Sequence, residues 1–353
     1  MHRLALVLVF AVLLPVPAGA DTGWRPAQVL AAPSALADDA QFIRRLLSPL
    51  AADDLARFVQ ARDRRLAPEP LAEDERINLF IPDRPPPQGY GLIVFVHAGD
   101  EFFLPHDWRR ELSRRGLIFA TLIKAGNDAD VFGRRIPLVL HAYRHVLDHY
   151  PVDEARVYVS GFSGGGRLAQ RVALGYPDVF SGSLQFAGSV VIGENLMPPP
   201  PAELMAQFQS RTRVVMATGN LDRPNRRNDE LSSDRMTELC VAGVSMLSLP
   251  GLEHWTPDGR GLSKALQLLE TPVEANAVEQ SHCNARLQAR IDAFLDAAAQ
   301  ASEEGRRQEA VDAIVAVDDA FGGLALPRTR ELARSLMSGV EPQPDGAVPG
   351  TPR

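Results

Sequence analysis

Residues 157–175, Val-Tyr-Val-Ser-Gly-Phe-Ser-Gly-Gly-Gly-Arg-Leu-Ala-Gln-Arg-Val-Ala-Leu-Gly, decide how this chain is read. A short apolar run, Val157 to Val159, leads directly into Gly161-Phe162-Ser163-Gly164-Gly165, and a helix-forming stretch follows at once. Gly-x-Ser-x-Gly between a strand and a helix marks a sharp turn that holds a serine in strained backbone geometry. The positions two before and two after that serine must lack bulky side chains, and both are glycine. The turn raises the serine oxygen at the carboxyl end of a buried strand, beside the amino terminus of a helix. The bare pattern arises by chance in roughly one chain in ten, so the flanking strand and helix carry the weight.

Strand and helix signals alternate outward from this point. Apolar runs predict strands over 77–81, 92–96, 117–123, 157–160, 184–187, 214–218 and 244–249, with a proline-rich turn at 85–89. Helical spacing covers 134–150, 164–174 and 232–242. Continuous apolar strands alternating with helices predict an α/β fold, a mostly parallel sheet covered on both faces. Ligands on such sheets bind beyond the carboxyl ends of the strands.

The flanks differ in character. From 34 to 65, Phe42, Ile43, Leu46, Leu47, Leu50, Leu55, Phe58 and Val59 recur at three-to-four spacing with Pro49 as a break, so 21–75 reads as a helical lead-in to a main domain over 76–284. After 285 the strands stop. Helices are expected over 286–302, 307–317 and 328–337, a C-terminal helical extension over 285–340 that caps the main domain. The Pro- and Gly-rich tail, 341–353, is expected to be disordered.

Composition excludes several classes. With 45% hydrophobic and 23% charged residues and a formal charge of −7, the chain of 353 residues is an ordinary globular sequence with no basic stripe for nucleic acid. Lysine occurs only at Lys124 and Lys264. Arg3, the apolar run 4–14 and Ala18-Gly19-Ala20 read as a signal peptide over 1–20, whose apolar run is too short to span a bilayer. The mature chain is thus expected to be secreted or periplasmic, with no stable membrane insertion. Cys240 and Cys283 are the only two cysteines. An oxidising compartment allows them to pair in one disulfide, and the alternative of two separate buried thiols stays open because sequence fixes no distance between them.

A nucleophilic serine needs a base, an acid to orient that base, and donors for the developing oxyanion. Downstream of Ser163 the histidines are His254 and His282. His254 lies in a loop just beyond the 244–249 strand, whereas His282 falls in or near a helix, so His254 is the candidate base. The 214–218 strand ends in Gly219-Asn220-Leu221-Asp222, which makes Asp222 the candidate acid ahead of Asp229 and Glu230. The oxyanion donors are expected to be the backbone N–H of Gly164 and one from His97-Ala98-Gly99, with Gly99 first and Ala98 second. His97 precedes the nucleophile and reads as a structural hydrogen-bonding residue. His141, His145 and His149 stand at metal-ligand spacing, but without the glutamate of H-E-x-x-H they read as a polar helix face. No metal or cofactor is implied.

With these residues in place, the chain resembles the α/β-hydrolase superfamily, and within it secreted poly(3-hydroxybutyrate) depolymerase-like and feruloyl or acetyl-xylan esterase-like proteins. The resemblance runs from about 77 to 257. It rests on Val157–Gly166, Tyr176-Pro177-Asp178-Val179-Phe180, Ala187-Gly188, Thr218-Gly219-Asn220-Leu221-Asp222 and Pro250-Gly251-Leu252-Glu253-His254. It implies nucleophile, acid and base at Ser163, Asp222 and His254. Where such esterases show His-Gly-Gly or His-Gly-Cys, this chain has His97-Ala98-Gly99. Neither a linker nor a polymer-binding module is visible, which favours a soluble ester as substrate. The expectation is a serine hydrolase acting on a carboxylic ester. Two rivals are a peptidase of the prolyl-oligopeptidase kind and a non-catalytic binding protein that uses its helical end to meet a protein partner.

Overall fold

Ile93 and Phe95 face one side of a sheet while Leu92, Val94 and Val96 face the other, and all five are buried. This is why strand β3 (Tyr90–Val96) is apolar at every position: side chains alternate across a pleated strand, and here both faces are covered. The computed structural model describes residues 22–53, 71–194 and 197–338. Its strands are β1 (Gly23–Val29), β2 (Arg76–Ile81), β3, β4 (Leu117–Leu122), β5 (Val152–Phe162), β6 (Gly182–Phe186), β7 (Arg213–Gly219) and β8 (Val244–Leu249). They form one sheet in the order β1-β2-β4-β3-β5-β6-β7-β8. β2 runs antiparallel to both β1 and β4, and every other pairing is parallel.

Among the described residues the helices that accompany the sheet with both ends defined are α1 (Asp39–Leu46), α2 (His106–Arg115), α3 (Ile136–His149), α4 (Gly164–Gly175), α5 (Ala202–Arg211), α6 (Arg223–Glu238), α7 (Gly259–Glu270), α8 (Ala277–Glu303), α9 (Arg307–Phe321) and α10 (Arg328–Ser338). Leu92, Val94 and Val96 share a core with Val139 of α3, Leu168 and Val172 of α4, Phe208 of α5 and Met236 of α6. Ile93 and Phe95 share the other core with Trp108 and Leu112 of α2 and Leu262, Leu266 and Leu269 of α7. At about 1.5–3 kcal/mol for each fully buried large side chain, the two layers fix the sheet against both helix sets.

The expected strands are present, several of them longer than their apolar cores. Three helices went unread. α2 buries only Trp108 and Leu112 among ten mostly charged residues, so its apolar stripe is two side chains wide. α5 buries Leu204, Met205 and Phe208 within ten residues. α7 carries Leu262, Ala265, Leu266 and Leu269 at helical spacing, a signal that was there to be read. α6 begins nine residues before the expected start at 232, because the Asp222 side chain caps it and Pro224 sits in its first turn.

The helical lead-in over 21–75 requires a correction. Its first segment is β1, an edge strand paired with β2, in which Pro26 is tolerated because an edge strand leaves N–H positions unpaired. The lead-in helix itself divides at Leu47-Ser48, with Pro49 opening the next turn. Leu55, Phe58 and Val59, the signal peptide over 1–20 and the tail 341–353 lie outside the described residues.

The C-terminal helices are continuous with the main core. Leu287, Ile291 and Leu295 of α8 and Phe321 of α9 belong to the cluster that contains Leu92 and Val94. Gly323 N–H donates to Pro199 O at 3.0 Å, and a Cβ on Gly322 would come within 2.3 Å of the same oxygen. Cys240, just past α6, is joined to Cys283 of α8 by a disulfide across a separation of 43 residues. A loop of that length constrains the unfolded chain by about 4 kcal/mol in the entropic model. The double variant Cys240→Ser/Cys283→Ser is therefore expected to lose about 2–4 kcal/mol in denaturant unfolding. Unchanged stability would show that the crosslink adds nothing to the docking of α8.

Candidate active site

Ser163 stands between the end of β5 and the start of α4 with φ 55° and ψ −119°, a backbone conformation costing on the order of 1–3 kcal/mol for a residue with a side chain. The strain is held by close backbone contacts. A Cβ on Gly161 would fall 2.3 Å from Gly165 C and O, and one on Gly165 would fall 1.9 Å from Val96 O. No other residue fits either position, which gives the two flanking glycines of the sequence motif their physical meaning. Ser163 N–H donates to Phe186 O at 2.8 Å, tying the turn to β6 as well.

Asp222 and His254 arrive from the loops that follow β7 and β8. Asn220 N–H donates to Leu249 O at 2.9 Å, Gly251 N–H donates to Asn220 Oδ1 at 2.7 Å, and Leu221 N–H donates to Leu252 O at 3.0 Å. These bonds sew the loop after β7 to the loop after β8. His254 Nε2 then lies 3.0 Å from Ser163 Oγ, and His254 Nδ1 lies 2.6 Å from Asp222 Oδ2. A carboxylate accepts the Nδ1 proton, so Nε2 is left as the acceptor facing the serine hydroxyl. The His254 side chain is 44% exposed and that of Asp222 only 5%, so the carboxylate is enclosed and the imidazole meets solvent.

Asn225, unforeseen in the sequence, completes this group. Its Nδ2 spans the Asp222 carboxylate, 3.0 Å from Oδ1 and 2.9 Å from Oδ2. Burial pushes the Asp222 carboxyl up, but hydrogen bonds from His254 and Asn225 and the nearby His254 charge outweigh it and hold the group below the usual carboxylate range. The only advance signal was Asp-x-x-Asn at a helix start, which reads as an ordinary cap.

The oxyanion loop departs from its expected ranking. Gly99 N–H donates to His97 Nδ1 at 3.0 Å, and burial pushes the His97 imidazole down, keeping it neutral and able to accept. The first choice, Gly99, is thus already engaged. Ala98 accepts from Asn127 N–H at 2.8 Å, while its own N–H meets no acceptor among the described residues. Gly164 lies in the first turn of α4, where an N–H has no partner within the helix. Ala98 and Gly164 therefore offer the open donors. His97 has the structural part expected of it: its ring stacks on Phe162 at 5.5 Å, and Phe162 in turn lies 5.0 Å from the His254 ring.

The competing residues stand elsewhere. Asp229 accepts from Ser189 Oγ at 2.6 Å, Glu230 pairs with Arg227, and His282 is exposed on α8. His141 Nδ1 accepts from Ser34 N–H at 2.9 Å, and burial pushes that imidazole down to about 4. His145 and His149 stack on each other at 4.3 Å. Among the described residues no group of His, Cys, Asp and Glu is arranged to hold a metal.

No protein-family model matches the chain. Feruloyl esterase B of Thermothelomyces thermophilus is 32% identical over 92 residues, 25% of this chain and 30% of that protein, so the chain aligns with less than a third of that relative's length. An S-formylglutathione hydrolase from Agrobacterium tumefaciens is similar in structure at 13% identity, covering 54% of this chain and 85% of that one, with a TM-score of 0.41. Est1E from Butyrivibrio proteoclasticus matches at 13% identity over 57% of this chain and 97% of its own, with a TM-score of 0.42.

Folding stability offers a direct check on Asn225. A carboxyl whose folded pKa lies below its unfolded value adds stability that is present above the unfolded pKa and is lost as pH falls through the folded one. Asn225→Ala removes two donated bonds, so the Asp222 carboxyl should rise. The acid-unfolding midpoint followed by circular dichroism should then move to higher pH, with a loss of about 1–3 kcal/mol at neutral pH. An unmoved midpoint would mean that Asn225 does not hold the carboxylate. In strand order, in the turn at Ser163 and in the chain order of serine, aspartate and histidine, the protein has the α/β-hydrolase fold.

Proposed function

We propose that the protein is a serine hydrolase that cleaves a carboxylic ester through an acyl-enzyme. The observation that carries this reading is the unbroken line of hydrogen bonds from Ser163 Oγ through His254 to Asp222. Ser163 Oγ attacks the ester carbonyl and its proton passes to His254 Nε2. The carbonyl oxygen takes the negative charge and is met by the N–H groups of Gly164 and Ala98. Collapse of the tetrahedral intermediate expels the alcohol, which takes its proton from His254. Water then attacks the acyl carbonyl and gives its proton to His254, and collapse breaks the Ser163 Oγ–acyl bond, returns that proton to Ser163 Oγ and releases the acid. Asp222 keeps the imidazole in the required tautomer and stabilises its charged form.

Two features support action outside the cytoplasm. The first twenty residues have the makeup of a signal peptide, and the Cys240–Cys283 disulfide suits an oxidising compartment. The local likeness to a feruloyl esterase makes feruloyl esters one class to include among the soluble esters screened.

The test is hydrolysis of short p-nitrophenyl esters together with fluorophosphonate labelling. Wild type should cleave the esters and be labelled at Ser163. Ser163→Ala and His254→Ala should each lower kcat by about 10⁶-fold, and Asp222→Asn by about 10⁴-fold. The Ser163→Ala/His254→Ala double variant should be no worse than either single one, because the residues act as a unit. Cleavage of peptide p-nitroanilides but not esters would move the assignment to a peptidase, and absence of both labelling and turnover would remove it.

A further inference from the structure

A cavity of about 540 Å³ lies against the serine turn. Gly164 and Asn127 belong to its wall on the Ser163 side, whereas Phe162, His254 and Trp255 take no part in it. The cavity therefore occupies the flank of Ser163 away from the histidine. Its volume falls in the range of small-molecule sites, roughly 300–1,000 Å³.

Three guanidinium groups line this space: Arg135, from the turn that leads into α3, and Arg167 and Arg171, four residues apart on α4. Arg135 is buried, and its hydrogen bonds go to backbone carbonyls, Ala125 O at 2.9 Å and His97 O at 3.5 Å, rather than to a carboxylate. Arg167 reaches the side-chain oxygen of Asn225 at 3.5 Å. Arg171 lies over the Phe132 ring at 5.6 Å, and burial followed by the positive charge of Arg135 pushes it down to about 10. Among the described residues the carboxylate in the wall is Glu194, and it is exposed to solvent. Three guanidinium groups (Arg135 buried, Arg171 partly buried, Arg167 exposed at the mouth) and one carboxylate among the described residues thus line the recess, so its field is positive and favours an anion. Guanidinium forks match a carboxylate in two parallel hydrogen bonds, which makes an organic acid the natural occupant.

We propose that this cavity receives an ionised carboxylate on the acyl part of the substrate, so that the preferred esters are half-esters of dicarboxylic acids. The choice of acyl over alcohol rests on the reaction set out above. His254 hands its proton to the departing alcohol oxygen, so the alcohol occupies the His254 flank, and the acyl body extends past Gly164 toward the arginines.

The experiment compares monoethyl succinate, glutarate and adipate with ethyl butyrate, pentanoate and hexanoate, following the ethanol released. These pairs match in leaving group and chain length and differ in the terminal charge. At one length or more, the charged ester should exceed its neutral partner in kcat/KM by about tenfold or more. Arg167→Gln and Arg171→Gln should each bring that ratio close to one, and a ratio cancels any general loss of activity. Ratios at or below one at all three lengths, with ethyl butyrate still cleaved, would overturn the inference and leave the ester-hydrolase reading standing. Should no ester be cleaved, calorimetry on Ser163→Ala decides the cavity independently. Glutarate binding that pentanoate does not match and Arg167→Gln abolishes upholds acid recognition, and its absence overturns it.

Discussion

The backbone contact between the end of β3 and the start of α4 is the constraint on which the site depends. Gly165 presses so closely on Val96 O that a methyl group there would come within 1.9 Å of it. That contact brings the first turn of α4, which carries the Gly164 N–H, beside the loop that follows β3, which carries the Ala98 N–H. It also holds Ser163 at positive φ, since Gly161 on β5 meets Gly165 from below. A rigid donor pair costs little reorganisation when charge develops, which is how such arrangements lower a barrier. Ala98 in place of a smaller residue matters less than its side chain suggests, because the N–H that is open is its own.

The other half of the site is held from the opposite face of the sheet. Trp108, fully buried on α2, donates its indole N–H to Pro257 O at 2.8 Å, and Asp107 accepts from Gly259 N–H. The loop that carries His254 is thereby anchored three residues beyond the histidine. On the acid side, Asp222 serves α6 as its N-cap while its carboxylate oxygens accept from Asn225 Nδ2 and His254. One side chain thus joins the helix start to the imidazole. A capping interaction worth about 1 kcal/mol also fixes the orientation of the His254 imidazole.

The sequence was most legible where local chemistry and global position coincide. The turn at Gly161–Gly165, the continuous apolar strands and the order Ser163, Asp222, His254 each follow from residue types that few other structures need. Legibility failed where a role depends on contacts distant in sequence. α2 looks like a charged surface segment until Trp108 is seen between two helices and a sheet. β1 carries no clean alternation because an edge strand buries little of either face. On size alone Gly99 is the expected donor, and only the placement of the His97 ring shows that its N–H is engaged. Asn225 escaped notice because Asp-x-x-Asn at a helix start already has a sufficient local explanation.

The helical end, which sequence left without a role, bears on the cavity beside Ser163. The segment 189–194 forms part of the cavity wall and has no regular secondary structure of its own. Val190 O accepts from Gln170 Nε2 at 2.8 Å and from Ser232 Oγ at 2.9 Å, and Ile192 O accepts from Arg235 Nε at 3.0 Å. The same Arg235 donates through Nη2 to Ala320 O at 2.7 Å on α9, and a Cβ on Gly193 would stand only 3.0 Å from that residue. The wall is therefore pressed between α4 and α6 on one side and α9 on the other, with α8 fastened to the end of α6 by the disulfide. An irregular segment of this kind is otherwise among the first parts of a structure to open. Buttressed this way, it keeps the shape of a recess whose like charges would tend to push it apart, and the C-terminal helices act on the site through that wall.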